Sequence, residues 1–150
     1  MKILILAAGY GTRLYPLVTN TPKPLLPVAN KPLINHIVDK LAAIPDLNEV
    51  LVVTNEKFHK NFENLAKETS ASFSVPIKIV NDGTTAPENR LGSVGDIDFA
   101  IKNCSIDDDL LVLGGDNLFD YKLDEYVAFS RKQKFAVTIG LYDIHDLADA

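Results

Sequence analysis

Lys2-Ile3-Leu4-Ile5-Leu6-Ala7 runs directly into Leu6-Ala7-Ala8-Gly9-Tyr10-Gly11-Thr12-Arg13-Leu14-Tyr15-Pro16-Leu17, and this junction decides the fold. The first run is short, continuous and rich in branched side chains, the pattern of a strand buried on both faces. The second opens on two glycines and reaches an arginine. Gly9 and Gly11 let the backbone turn tightly and bring its N–H groups close to a ligand, a concavity suited to phosphate. Arg13 adds a permanent charge with a forked set of donors. Alone, the glycine pair is better read as an ordinary strand-to-helix turn, with Arg13 as a surface charge.

Outward from that loop, Thr21-Pro22-Lys23-Pro24-Leu25-Leu26-Pro27-Val28 carries three prolines, which predicts a stiff, extended segment that aims Lys23. Asn30 is read as an N-cap and Pro32 as part of the first turn of a helix whose apolar face is Leu33, Ile34, Ile37, Val38, Leu41 and Ala42, with Pro45 as its stop. Glu49 to Thr54 reads as a second strand. Asn55 reads as the cap of a helix on which Phe58, Phe62, Leu65 and Ala66 recur. Pro76 to Val80 is a third strand, Asn81 to Arg90 a polar loop and Gly92 to Lys102 a helix. Leu110 to Leu113 is a fourth strand, and Gly114-Gly115-Asp116-Asn117 follows at once. Leu123 to Lys132 is a helix with acids early and bases late, as the helix dipole favours. Ala136 to Leu141 is a fifth strand. Strands alternating with helices predict a mostly parallel sheet covered on both faces, a three-layer α/β/α Rossmann-like architecture whose ligands gather beyond the carboxyl ends of the strands.

The 150 residues amount to one ordinary domain, with 47% hydrophobic and 23% charged residues as in soluble globular proteins. A net charge of −5 without a basic cluster argues against a nucleic-acid partner. Cys104 is the lone cysteine, so no internal disulfide forms, in keeping with a reducing, cytoplasmic setting. The N-terminal apolar run is too short to span a membrane, and no membrane partner is expected. His36, His59 and His145 lack metal-ligand spacing and read as solvent-facing. Asp107-Asp108-Asp109 reads as a solvated turn, Cys104 as a buried or half-buried thiol, and Asn20 as a cap.

Leu6-Ala7-Ala8-Gly9-x-Gly11-Thr12-Arg13-Leu14-x-Pro16-Leu17 followed by Pro22-Lys23-Pro24-Leu25-Leu26-Pro27-Val28 resembles the opening of the sugar-1-phosphate nucleotidyltransferases. These include glucose-1-phosphate thymidylyltransferases and uridylyltransferases and mannose-1-phosphate guanylyltransferases. The resemblance implies the nucleotide-diphospho-sugar transferase fold. It also implies an activity: a nucleoside triphosphate and a sugar 1-phosphate yield an NDP-sugar and pyrophosphate, with Mg²⁺ as cofactor. Arg13, Lys23 and Asp116 are the implied catalytic residues. Arg13 would steady the departing pyrophosphate, Lys23 the nucleotide phosphates, and Asp116 would bind the metal. Leu6, Ala7, Ala8, Gly9, Gly11, Thr12, Arg13, Lys23, Glu88 and Gly92 are the implied nucleotide-binding residues.

Leu91-Gly92-Ser93-Val94-Gly95 resembles the family's Leu-Gly-Thr-Ala-Gly segment in altered form. Several members place a base-pairing glutamine five residues before its first glycine; here Pro87 and Glu88 stand there. Asp96 stands where the family often has a small or apolar residue and has no assigned role at this stage.

The resemblance covers residues 1–150 but only the N-terminal, nucleotide-binding part of the family's catalytic domain. A second metal-binding aspartate and a sugar-phosphate lysine are not in the chain, so a fragment with weak or no turnover is expected. The base, the sugar and any homo-oligomeric state stay open. Three rivals stand beside this reading. A dinucleotide-dependent oxidoreductase needs a third glycine where Leu14 stands and an acid where the second strand ends in Thr54-Asn55. A non-catalytic interaction relative of the same fold tends to lose the phosphate-binding residues, which are intact here. An alcohol-phosphate cytidylyltransferase of the phosphocholine type would differ in a substrate pocket outside this chain.

Overall fold

The computed structural model describes residues 1–133 and 137–141. In chain order its elements are β1 (Lys2–Leu6), β2 (Pro27–Val28), β3 (Lys31–Pro32), α1 (Leu33–Leu41), β4 (Glu49–Thr54) and α2 (His59–Thr69). There follow β5 (Ile77–Asn81), α3 (Gly92–Asn103), β6 (Leu110–Gly114) and α4 (Leu123–Lys132). Strands β5, β4, β1 and β6 hydrogen-bond in that order, every pair parallel. Numbered by appearance within this sheet the order is 3-2-1-4, the doubly wound arrangement whose direction reverses beside the first strand.

The period-two alternation of each strand divides its side chains between two cores. Ile3, Ile5, Val50, Val52, Leu111 and Leu113 face one way and pack with α1, α2 and α4, with Ile34, Ile37, Leu41, Phe58, Phe62, Leu123 and Val127 as the buried partners. Leu4, Leu51, Val53 and Val80 face the other way and pack with α3 through Ala100, Ile97 and Phe99. The three layers expected from the sequence are therefore present. Phe62, Ile34 and Leu41 are fully buried, each worth about 1.5–3 kcal/mol of transfer energy. Cys104 is half-buried against the second core. Among the described residues no helix is long and apolar enough to cross a membrane.

Four local expectations are corrected. Lys23 does not lie on extended chain: Lys23–Leu25 forms a 3-10 turn, closed by Leu25 N–H donating to Pro22 O at 2.9 Å and Leu26 N–H to Lys23 O at 3.1 Å. Asn30 caps no helix. With Ala29 it forms the two-residue turn of the β2–β3 hairpin, both at positive φ (47° and 69°), the geometry two-residue hairpins require. Asn20 likewise starts no helix; its backbone carbonyl accepts a bond from Asn61 Nδ2 at 3.4 Å. His36 is half-buried and its Nε2 bonds Val28 O at 2.8 Å, tying α1 to the hairpin.

The expected fifth strand is the largest difference. Ala136 lies outside the described residues, and 137–141 forms no strand, with Val137 and Ile139 both 73% exposed. That stretch is held by α4 instead: Tyr126 Oη donates to Thr138 O at 2.8 Å and Ser130 Oγ bonds Thr138 Oγ1 at 3.0 Å. His145 also lies outside the described residues.

Candidate active site

Leu6 of β1 pairs with Gly114 of β6 and with Val53 of β4, and Val53 pairs with Val80 of β5. These four residues form one rung across the carboxyl edge of the sheet. Two residues past it on each strand stand Asp116, Ala8, Asn55 and Asp82. A cleft of about 430 Å³ opens over this edge, reaching from Asp116 at one end to Asp82 at the other. The span is three strand spacings, roughly 14 Å.

The loop after β1 forms one wall through Ala8, Gly9 and Gly11. Gly11 is the position that demands glycine: its φ is 63°, and a Cβ there would come within 3.0 Å of Val18 Cγ2. Gly115 closes the end of β6 onto the same loop. Its N–H donates to Leu6 O at 2.9 Å, and a Cβ would sit 2.9 Å from that oxygen and 3.1 Å from Ile5 Cγ2.

At the β6 end, Lys23 Nζ donates to Asp116 Oδ2 at 2.7 Å, both side chains being 40% and 42% exposed. Residues 93 apart in sequence thus bring an ammonium and a carboxylate to the mouth of the cleft. Pro22 precedes the 3-10 turn in extended conformation, and buried Pro24 fixes the turn against the body, so Lys23 is held by backbone geometry. Arg90, Leu91, Gly92 and Ser93 form the facing wall. Gly92 takes φ 74° where the chain turns into α3.

The middle and far end are organised by buried polar groups. Asn55 is fully buried; its Nδ2 donates to Ala8 O at 2.9 Å and its Oδ1 accepts from Phe58 N–H at 3.1 Å. One side chain thus closes the turn Asn55–Phe58 that precedes α2, whose N-cap is Phe58 and not the expected Asn55, and also pins the glycine loop. Tyr10 Oη donates to Thr84 Oγ1 at 3.3 Å, and Thr84 Oγ1 and N–H both donate to Asp82 Oδ1 at 2.7 Å. Asp82 and Asp96 are 7% and 6% exposed and both line the cleft. Asp82 Oδ2 and Asp96 Oδ1 are fully buried and accept from no N–H or hydroxyl among the described residues. Burial raises the Asp96 carboxyl from 3.8 to about 6, helped by the charge of the neighbouring Asp82 carboxylate and by the hydrogen bond between the two carboxyl groups.

Residues 2–148 match the sequence profile of the nucleotidyl transferase family. The chain belongs to that family. It is 34% identical over 141 residues to the bifunctional protein GlmU of Methanocaldococcus jannaschii, a match covering 93% of this chain and 29% of that protein. It is 35% identical over 140 residues to the mannose-1-phosphate guanyltransferase of Yarrowia lipolytica, covering 93% of this chain and 37% of that one. The chain therefore spans about a third of the length of these curated relatives. Its fold is similar to the crystal structure of a glucose-1-phosphate thymidylyltransferase of Bacillus anthracis, solved with sucrose, at a TM-score of 0.74 and 29% identity over 89% of this chain and 51% of that one. The UDP-glucose pyrophosphorylase solved with UDP-glucose shares the fold at a TM-score of 0.63.

In this nucleotidyl transferase chain the residues named from sequence divide into two groups. Leu6, Ala7, Ala8, Gly9, Gly11, Lys23, Gly92 and Asp116 line one cleft. Thr12, Arg13 and Glu88 do not. Thr12 and Arg13 lie in a 3-10 turn with exposed side chains, two residues beyond the wall, and Glu88 is exposed on a second 3-10 turn, Pro87–Asn89. Arg13 makes no ion pair among the described residues. Asn55, Asp82, Arg90 and Ser93 belong to the cleft or its frame and were missed from sequence. Asp82 had a readable signal, since like Asp116 it stands just past the end of an apolar strand.

Proposed function

We propose that this cleft binds a nucleoside triphosphate and serves the transfer of its nucleotidyl group to a sugar 1-phosphate. A phosphate oxygen of the sugar 1-phosphate attacks the α-phosphorus, the bond from that phosphorus to the bridging oxygen breaks, and pyrophosphate leaves with the electron pair. No covalent bond to the protein forms, so the chain's task is positioning and charge neutralisation. The observation that carries this reading is the meeting of Lys23 and Asp116 at the mouth of a glycine-walled cleft.

In this proposal the loop N–H groups about Gly9 and Gly11 cradle phosphate oxygens, and Lys23 supplies the charge that holds them. Arg13, exposed beside the wall, steadies the pyrophosphate from outside the cleft. Asp116 is a half-exposed hard-oxygen donor, and among the described residues no group of three or more His, Cys, Asp or Glu is placed to hold a metal. One carboxylate suits Mg²⁺, which keeps water and takes its remaining ligands from substrate phosphates. When bound, such an ion neutralises phosphate charge and polarises the reacting phosphorus. Glu88 is given no part.

Titration calorimetry of the chain with GTP, CTP, UTP and dTTP in Mg²⁺ tests the reading. At least one triphosphate should bind, and Lys23→Ala should weaken it by tenfold or more, as expected for a charge-assisted contact worth about 1.5–3 kcal/mol. Unchanged affinity in Lys23→Ala would overturn the assignment.

A further inference from the structure

We infer that Asn55 is a positioning residue for the phosphate cradle: by holding the carbonyl of Ala8 it aims the N–H of Gly9 into the cleft. This deepens the nucleotide reading above and rests on it.

A peptide unit is planar and trans, so its C=O and N–H point in opposite directions and fixing one fixes the other. The carbonyl of Ala8 accepts from Asn55 Nδ2 at 2.9 Å, and both residues are buried. The N–H of Gly9, across the same peptide unit, is therefore turned away from Asn55, toward the side on which Gly9 is exposed and lines the cleft. The last loop N–H committed to the sheet is that of Ala7, which donates to Val53 O at 2.8 Å. The N–H groups of Gly9, Tyr10 and Gly11 meet no backbone acceptor among the described residues. A Cβ at Gly9 would meet nothing within 4 Å, so the fold itself leaves that side open to a ligand.

At position 55 the hydrogen bonds call for an amide. Oδ1 accepts from Phe58 N–H at 3.1 Å while Nδ2 donates to Ala8 O. One neighbour is solely a donor and the other solely an acceptor, so the side chain between them must offer one of each. An ionised aspartate has the same shape and satisfies Phe58, but it sets a carboxylate oxygen against the Ala8 carbonyl. A second tether lies further along the loop, where buried Tyr10 Oη donates to Thr84 Oγ1 at 3.3 Å. Gly9 is thus bracketed by two held residues, reached from the exits of β4 and β5. Lys23 bonds Asp116 instead, so the shape of the cradle and its cation are fixed by separate contacts.

The test uses the full chain and measures binding of inorganic tripolyphosphate, which presents phosphates without a base, by calorimetry in Mg²⁺. Asn55→Asp should bind about tenfold more weakly than wild type at pH 7.5, where its carboxylate cannot donate to Ala8 O. Burial raises the pKa of such a carboxyl, so it gains a proton toward pH 5 and its O–H replaces the lost donor. The ratio to wild type should then return to about threefold or less. Taking that ratio at each pH cancels the titration of the ligand and of Asp96. Asn55→Asp binding as tightly as wild type at pH 7.5, or a loss that is the same at pH 5, would overturn the inference and leave Asn55 a structural role alone. A second measurement needs no variant. In NMR spectra of the wild type, the Gly9 amide should shift as tripolyphosphate binds, while the Ala7 amide, committed to Val53 O, should not. A Gly9 amide indifferent to bound tripolyphosphate would also overturn the inference, leaving the Lys23 reading standing. Absence of binding by tripolyphosphate and by every nucleoside triphosphate would instead remove the nucleotide reading, and this inference with it.

Discussion

Asp96→Asn should stabilise the chain at neutral pH and erase part of its pH dependence. The Asp96 carboxyl titrates near 3.8 when exposed and at about 6 in the folded chain, because burial and the neighbouring Asp82 both oppose its charge. A difference of about two pH units at 1.36 kcal/mol each makes its ionisation cost about 3 kcal/mol of stability. The sign follows from proton binding. Below pH 4 the group is protonated in both states and costs nothing. Between about pH 4 and 6 the unfolded chain releases its proton while the folded chain retains it, so stability falls as pH rises. Above pH 6 the full cost remains. Asparagine cannot ionise and has nearly the same shape. Urea unfolding from pH 4 to 7.5 should show the wild type losing stability across the lower part of that range. The variant should lack that fall and should exceed the wild type by about 3 kcal/mol at pH 7, roughly 6–12 °C in Tm for a chain of this size. Asp98→Asn is the control: Asp98 is exposed and paired with Lys102 along α3, so it should change stability by less than about 0.5 kcal/mol. An Asp96→Asn variant no more stable than wild type at pH 7 would refute the claim that this carboxyl is held against its charge.

The frame of the cleft makes further predictions. Gly115→Ala should destabilise by about 1–3 kcal/mol in urea melts, because its Cβ would press on the Leu6 carbonyl at 2.9 Å and on Ile5. Gly114→Ala should cost less, since the atom it meets first, Asn117 Nδ2 at 2.7 Å, ends an exposed side chain that can move. Asn55→Ala should cost about 2–4 kcal/mol, since two buried hydrogen bonds go and Ala8 O loses its Asn55 donor. Hydrogen exchange should then quicken in the glycine loop as well as at the start of α2. Lys23→Ala should change stability by less than about 1 kcal/mol, its ion pair being about 40% exposed, even as it weakens nucleotide binding.

Where a segment buries a regular apolar face, its sequence declared it. The branched runs of β1, β4 and β6 and the amphipathic spacing of α1, α2 and α4 carry their own period, and α4 runs over the expected residues. The β2–β3 hairpin did not, because its strands are two residues each and its Ala29-Asn30 turn looks like a helix cap when Pro32 and an apolar helical face follow. The stretch 137–141 misled in the opposite sense. Val137, Ile139 and Leu141 alternate as in a strand, but alternation records only what the local chain would do if a ladder were offered. The hydrogen bonds from Tyr126 and Ser130 take Thr138 to α4 instead.

The site was legible where one residue type implies one job. Lys23 and Asp116 were named through the resemblance of their motifs to the family's, and the structure brings the two side chains together at the cleft mouth. Asp96 was noticed as odd and left without a role, since its meaning depends on Asp82, fourteen residues earlier in a loop that looked merely polar. The sheet register supplies the missing relation. Gly114, Leu6, Val53 and Val80 share one rung, so the acids two residues beyond that rung, one after β6 and one at the exit of β5, become the two ends of one cleft. One of those acids is given a lysine and left at the mouth; the other is buried beside a second acid and denied a cation. Negative charge on a ligand is therefore drawn to the Lys23 end of the cleft and kept from the end where Asp82 and Asp96 are buried.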